Sequence, residues 1–161
     1  MNIASPYTMG VYKLDPKAKL PTYATDGSGA FDLFATSAVY IGQNIVEYGL
    51  GFAVVLPNDY SLFILSRSGQ GFKFQHRLSN CVGLIDADYR GEVKVQLYAD
   101  ELVTTDGRHT TKPLALMPDK AIAQGIVLYT PKTTIFEIQH LPETTRGTGG
   151  FGSTDNNQKV L

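Results

Sequence analysis

The densest cluster of groups able to do chemistry in this 161-residue chain is NCVGLIDADYRGE, residues 80–92. Asp86, Asp88, Tyr89, Arg90 and Glu92 fall within seven positions, framed by Gly83 and Gly91. Glycines on both sides of a short apolar piece predict a hairpin whose backbone comes close to a ligand. A carboxylate beside it can serve as a general base on water. A solvated hairpin tip with idle charges would carry the same letters. A second stretch, SRSG at 66–69, follows an apolar run. Arginine, a hydroxyl and free backbone N–H groups at a strand-to-helix turn suit an anion, although a plain turn also fits. In GSGAFDLFA, 27–35, Asp32 interrupts an apolar run, and a carboxylate there needs a cation, a capped N–H or a metal's water shell. Gln124 in IAQG, 122–125, is a polar amide in an apolar strand and belongs to a hydrogen-bond network. The chain ends on ETTRGTGGFGSTDNNQKVL, 143–161, with four glycines in six positions among Arg146, Phe151, Ser153 and Thr154. This stretch lacks the GxxxxGK pattern of a P-loop; it is a flexible linker or a grip that closes on something.

The elements that must position these groups are short strands. EVKVQLY (92–98) alternates polar and apolar through Leu97, the period of a half-buried strand. YSLFILS (60–66), LGFAVVL (50–56), AIAQGIVLY (121–129) and TTIFEI (133–138) are apolar, β-branched or aromatic runs separated by turn signals. The helical period is nearly absent; SGQGFKFQH (68–76) has room for a turn or two of helix. The pattern predicts an all-β sandwich or barrel over residues 1–142, with 100–120 as a hairpin or surface excursion and 143–161 as a flexible tail. Fourteen basic and fifteen acidic residues leave a net charge of −1, which argues against a surface that coats nucleic acid. The single Cys81 forms no internal disulfide, the first residues lack a signal-peptide pattern, and no run is long enough to cross a membrane as a helix. These features predict a soluble, cytoplasmic protein.

Taken in order, the stretches resemble the five motifs of the trimeric dUTPases, the dUTP diphosphatases. The family's AGxDL is GAFDL here (29–33), with Asp32 kept; RSG is intact at 67–69. The third motif, G-x-I-D-x-D-Y-R/Q-G preceded by Asn, is complete at 80–91, and the fifth, R-G-x-G-G-F-G-S-T, is complete at 146–154. Of the fourth, G-D-R-I-A-Q, only IAQ (122–124) remains: Ala121 stands at the arginine position and Lys120 precedes it. After the fifth motif Asp155 replaces the usual glycine.

The resemblance implies a jelly-roll-like β-clip barrel forming a homotrimer, with active sites at subunit interfaces. It implies Mg²⁺-assisted hydrolysis of dUTP to dUMP and pyrophosphate, which limits uracil incorporation into DNA and supplies dUMP for dTMP synthesis. Asp86 is then the base for a water attacking the α-phosphorus. Asn80 and the backbone of Gly83, Leu84 and Ile85 read uracil, and Tyr89 lies against the deoxyribose and excludes a ribose 2′-hydroxyl. Arg67, Ser68, Gly69 and Gln124 face the phosphates, Lys94 is a further contact, and Asp32 meets magnesium through water. Arg146 pairs with the γ-phosphate and Phe151 covers the base, with Gly152, Ser153 and Thr154 completing the cage as a lid over 143–161. Two alternatives keep the fold: a dCTP deaminase, whose tail does not resemble RGTGGFGST, and a module that captures a regulatory protein partner, which the depleted fourth motif would suit.

Overall fold

The structure, a computed structural model, describes residues 8–100, 102–103, 109–110 and 120–150. Its elements are β1 (Gly10–Lys13), β2 (Phe31–Leu33), β3 (Ser37–Gly42), β4 (Ile45–Gly49), β5 (Phe52–Val55), β6 (Tyr60–Leu65), α1 (Ser68–Phe74), β7 (His76–Leu78), β8 (Gly83–Ile85), β9 (Lys94–Ala99), β10 (Leu102–Val103), β11 (His109–Thr110) and β12 (Ala123–Tyr129). All strand pairs among them are antiparallel. Two four-stranded sheets dominate, ordered β2-β12-β6-β8 and β3-β4-β9-β7, and β1 pairs with β5.

Alternation builds the core between them. On β9, Val95, Leu97 and Ala99 are buried while Lys94 and Gln96 face water, as period two requires. Leu62 and Ile64 of β6, Val46 and Tyr48 of β4, and Phe52 and Val54 of β5 join Leu33, Leu78 and Val93 in one cluster. Burial pushes the Tyr48 phenol up to about 12, so it stays neutral. The all-β expectation holds, and the short helix falls within 68–76 as the sequence predicts.

Two expectations fail, both for want of a local partner. TTIFEI (133–138) forms no strand: Ile135 is 92% and Phe136 74% exposed, and this segment pairs with no described strand of the chain. Strand-forming residues do not make a strand without a neighbour to take their backbone hydrogen bonds. The stretch 80–92 is also not a hairpin. β8 pairs with β6, whereas β9 pairs with β4 and β7, so the segment crosses from one sheet to the other. Lys94 therefore does not return alongside β8. Between β9 and β12, β10 and β11 pair as Leu102↔Thr110 and Val103↔His109; the remainder of the 100–120 excursion lies outside the described residues.

Candidate active site

Three stretches far apart in sequence meet at one polar cavity of about 300 Å³, which Ser28, Gly29, Asp32, Arg67, Ser68 and Gln124 help to line. Register explains part of this. Gln124 on β12 sits opposite Asp32 of β2 on one side and Leu65 of β6 on the other. Arg67 follows β6 as the residue before α1, so the end of that strand feeds directly into the cavity.

The cavity walls brace one another. Arg67 Nε lies 3.0 Å from Asp32 Oδ1, with both side chains partly sheltered. Arg67 Nη1 donates to the Ala121 carbonyl at 2.9 Å, and Gln124 Nε2 donates to the Ser66 carbonyl at 3.0 Å. Asp32 is thus half-buried and partnered by a cation, one of the arrangements its sequence context required. Ser66, which the sequence reading left unassigned, accepts the Leu78 N–H on its hydroxyl at 3.0 Å and ties this turn to β7. Ala121 is itself buried, so its position contributes a backbone acceptor to the site, and Lys120 beside it is exposed. The N–H groups of Ser68 and Gly69 open α1 and have no intrahelical acceptor, leaving them available to an anion.

The second cluster is held by its own loop. Cys81, at φ 64, donates its N–H to the Leu78 carbonyl at 3.2 Å, and Val82 N–H reaches the Asn80 carbonyl at 2.7 Å; Asn80 is exposed at this turn. β8 follows as a sheet edge, paired among the described strands only with β6, so one side of the Gly83–Ile85 backbone remains open. Asp86 is exposed at the start of a turn that the Tyr89 N–H closes onto the Asp86 carbonyl at 3.2 Å. Arg90 braces that turn, donating through Nη1 to the carbonyls of Ala87 at 2.7 Å and Tyr89 at 2.9 Å. Lys94 is engaged elsewhere: its Nζ meets Glu47 Oε1 at 2.8 Å, and this hydrogen bond raises the Lys94 ammonium and lowers the Glu47 carboxyl from their ordinary values.

Asp86 and Arg67 lie towards opposite ends of β6, although β8 begins at Gly83 opposite Ile64, close to the Arg67 end. Leu62 faces Ile85 in register, which brings Asp86 level with Ser61, while Arg67 lies beyond Leu65. Six residues of extended chain separate those positions, about 20 Å at roughly 3.3 Å per residue.

A family model described as dUTPase matches residues 16–155. The chain belongs to the dUTPase family. A deoxyuridine 5'-triphosphate nucleotidohydrolase of Helicobacter pylori (strain ATCC 700392 / 26695) is 38% identical to it over 145 residues, covering 89% of this chain and 94% of the relative. One from Nautilia profundicola is 34% identical, covering 89% and 96%. Among solved structures, a mutant dUTPase of Staphylococcus bacteriophage 80alpha with dUpNHpp matches at a TM-score of 0.72 and 20% identity, covering 91% of this chain and 98% of its own. A mutant dUTPase of phage phi11 of S. aureus, described with a structural Mg(II) ion, matches at 0.66 and 17% identity, covering 84% and 99%. At these identities the structures speak for the fold.

In the terms of this family, residues of the first, second and fourth motifs converge on the cavity, while the third runs along β6 from Gly83, opposite Ile64, to Asp86 beyond Ile85. The fifth is described as far as Gly150. Arg146 is exposed, and its Nε donates to the Gly149 carbonyl at 2.9 Å. Phe151, Gly152, Ser153, Thr154 and Asp155 lie outside the described residues. No helix among the described residues is long and apolar enough to cross a membrane.

Proposed function

We propose that the chain hydrolyses dUTP to dUMP and pyrophosphate, limiting uracil incorporation into DNA and supplying dUMP for dTMP synthesis. The observation that carries the reading is the convergence of Asp32, Arg67, Ser68, Gly69 and Gln124 on one polar cavity. Backbone N–H groups, a hydroxyl, an amide and a guanidinium are the donors a triphosphate requires. Asp86 takes the proton from a water whose oxygen attacks the α-phosphorus, and the bond to the β,γ-pyrophosphate breaks. Asn80 and the open edge of β8 read the uracil: backbone groups of Gly83, Leu84 and Ile85 leave no room for thymine's methyl and pair badly with cytosine. Tyr89 meets the deoxyribose. Arg146 binds the γ-phosphate and Phe151 covers the base as residues 143–161 close, with Gly152, Ser153 and Thr154 on the phosphates.

Mg²⁺ fits this site as an ion held mainly by water and substrate phosphates, and when bound it neutralises charge on the triphosphate. Asp32 is the carboxylate at the cavity, half-exposed and steadied by Arg67, and would hold the ion through its waters. Lys94, engaged with Glu47, is left as a peripheral phosphate contact.

The enzyme works as a homotrimer in this reading, because the Asp86 end of one chain must meet the Arg67 end of another. The separation of the two along β6 supports that, and so does the segment after β12. There Ile135, Phe136 and Leu141 are 92%, 74% and 85% exposed, an apolar arm left uncovered among the described residues. Action in the cytoplasm is part of the same proposal.

A substrate panel of dUTP, dCTP, dTTP and UTP with Mg²⁺, read by pyrophosphate release, tests the function. Release from dUTP alone is expected. Ammonia from dCTP would overturn the reading in favour of a deaminase, and no release from dUTP would leave a binding module.

A further inference from the structure

Tyr89 does not stand free at the loop tip. Its hydroxyl donates to the Glu92 carbonyl at 3.1 Å, folding the side chain over the intervening Gly91 while the residue stays 44% exposed. Gly91 has no left-handed φ, so its backbone would admit any L-residue. Space is what forbids one. A Cβ at Gly91 would meet the Tyr89 hydroxyl oxygen at well below contact distance, Cζ at 2.6 Å and Cε2 at 3.1 Å. The acceptor is anchored in turn. Glu92 Oε1 receives the Gly51 N–H at 2.8 Å, at a corner between β4 and β5 where Gly51 has φ 71. The next residue, Val93, donates its N–H to the Phe52 carbonyl at 2.9 Å. A run of contacts therefore leads from the buried β4–β5 corner to one exposed aromatic ring.

We propose that Gly91 is a specificity-determining residue: its missing side chain lets the Tyr89 ring seat on the Glu92 carbonyl and present a fixed face that excludes a ribose 2′-hydroxyl. This rests on the reading that Tyr89 meets the sugar. A ring held at one end by a hydrogen bond and from beneath by backbone cannot yield to an added oxygen. A ring lifted off its seat can. Gly91 touches no substrate and acts through Tyr89, so its removal changes the choice of sugar more than the rate on the correct one.

The test compares kcat/KM for dUTP and for UTP in the full chain and in Gly91→Ala, Tyr89→Phe and Tyr89→Ala. Gly91→Ala is expected to lower the dUTP-to-UTP ratio about tenfold or more, while kcat on dUTP stays within about threefold and Tm within a few degrees. Tyr89→Phe, which removes the hydroxyl but keeps the ring, is expected to lower the ratio by a smaller factor. It decides the matter should Gly91→Ala fail to fold. If Tyr89→Ala relaxes the ratio while Gly91→Ala and Tyr89→Phe leave it unchanged, the seat is overturned. If Tyr89→Ala also leaves it unchanged, Tyr89 does not read the sugar and the underlying assignment falls with the proposal.

Discussion

The two ends of β6 are built on different plans. At the Arg67 end, Asp32, Arg67, Ala121 and Gln124 come from three separate stretches and hold one another by side-chain contacts across strands. At the Asp86 end, the groups come from one loop whose contacts run mainly three residues or fewer along the chain, as with Arg90 on Ala87 and Tyr89 on Glu92. The first end is an interstrand lattice that gathers donors on one cavity; the second is a self-braced loop that leaves Asp86 exposed. In the proposed reading one site draws on both ends from two chains, and that arrangement can be broken in graded ways.

The largest effect is expected from Asp86→Asn: turnover falls by about two to four orders of magnitude, nucleotide binding persists, and Tm barely moves. Calorimetric titration with a non-hydrolysable dUTP analogue, beside steady-state rates, checks this; an unchanged rate removes Asp86 as the base. The sharper form mixes that variant with Arg67→Ala. Each alone is nearly inactive, but refolding them together in equal amounts restores about a quarter of the native sites, because a random neighbour pair supplies both intact ends once in four. Activity that stays at the level of the separate variants would confine the site to one chain.

Truncation after Glu143 comes next, with turnover reduced about a hundredfold and little loss of thermal stability. A large fall in Tm would make the tail a structural element instead.

The smallest effect belongs to Lys94 and Glu47, a surface pair outside the comparison and so a control for it. Glu47 has a lowered carboxyl, mainly through its hydrogen bond to Lys94, so its contribution is present above the ordinary carboxylate range and lost as pH falls through the folded value. Lys94 is raised by the same bond, so its contribution is present below the ordinary lysine range and lost as pH rises through the folded value. Lys94 is solvent-exposed and Glu47 partly so, so Lys94→Gln should shift Tm at neutral pH by no more than about a degree or two, fading in high salt.

Much of this was open to inspection in the chain itself. The alternation in EVKVQLY assigns the faces of β9, because side chains on a strand alternate whatever its partners. The short helix of SGQGFKF and the chemistry of the third and fifth motifs are equally local. Strands with weaker patterns, such as β1, β3 and β7, did not stand out, since short elements take their order from the sheet.

Partnership was decided by the tertiary structure. Nothing local to Asp32, Arg67 or Gln124 says that they share a cavity; the register of β2, β12 and β6 does. The stretch 80–92 reads as one hairpin, yet β8 within it and β9 just after it join different sheets because β6 and β4 are their hydrogen-bonding neighbours. TTIFEI has the composition of a strand and pairs with none of the described strands. The sequence by itself determined which groups can do chemistry and which faces turn inward, because these follow from each residue and its nearest neighbours. Which groups meet depends on hydrogen bonds between distant strands, and only the folded chain chooses those.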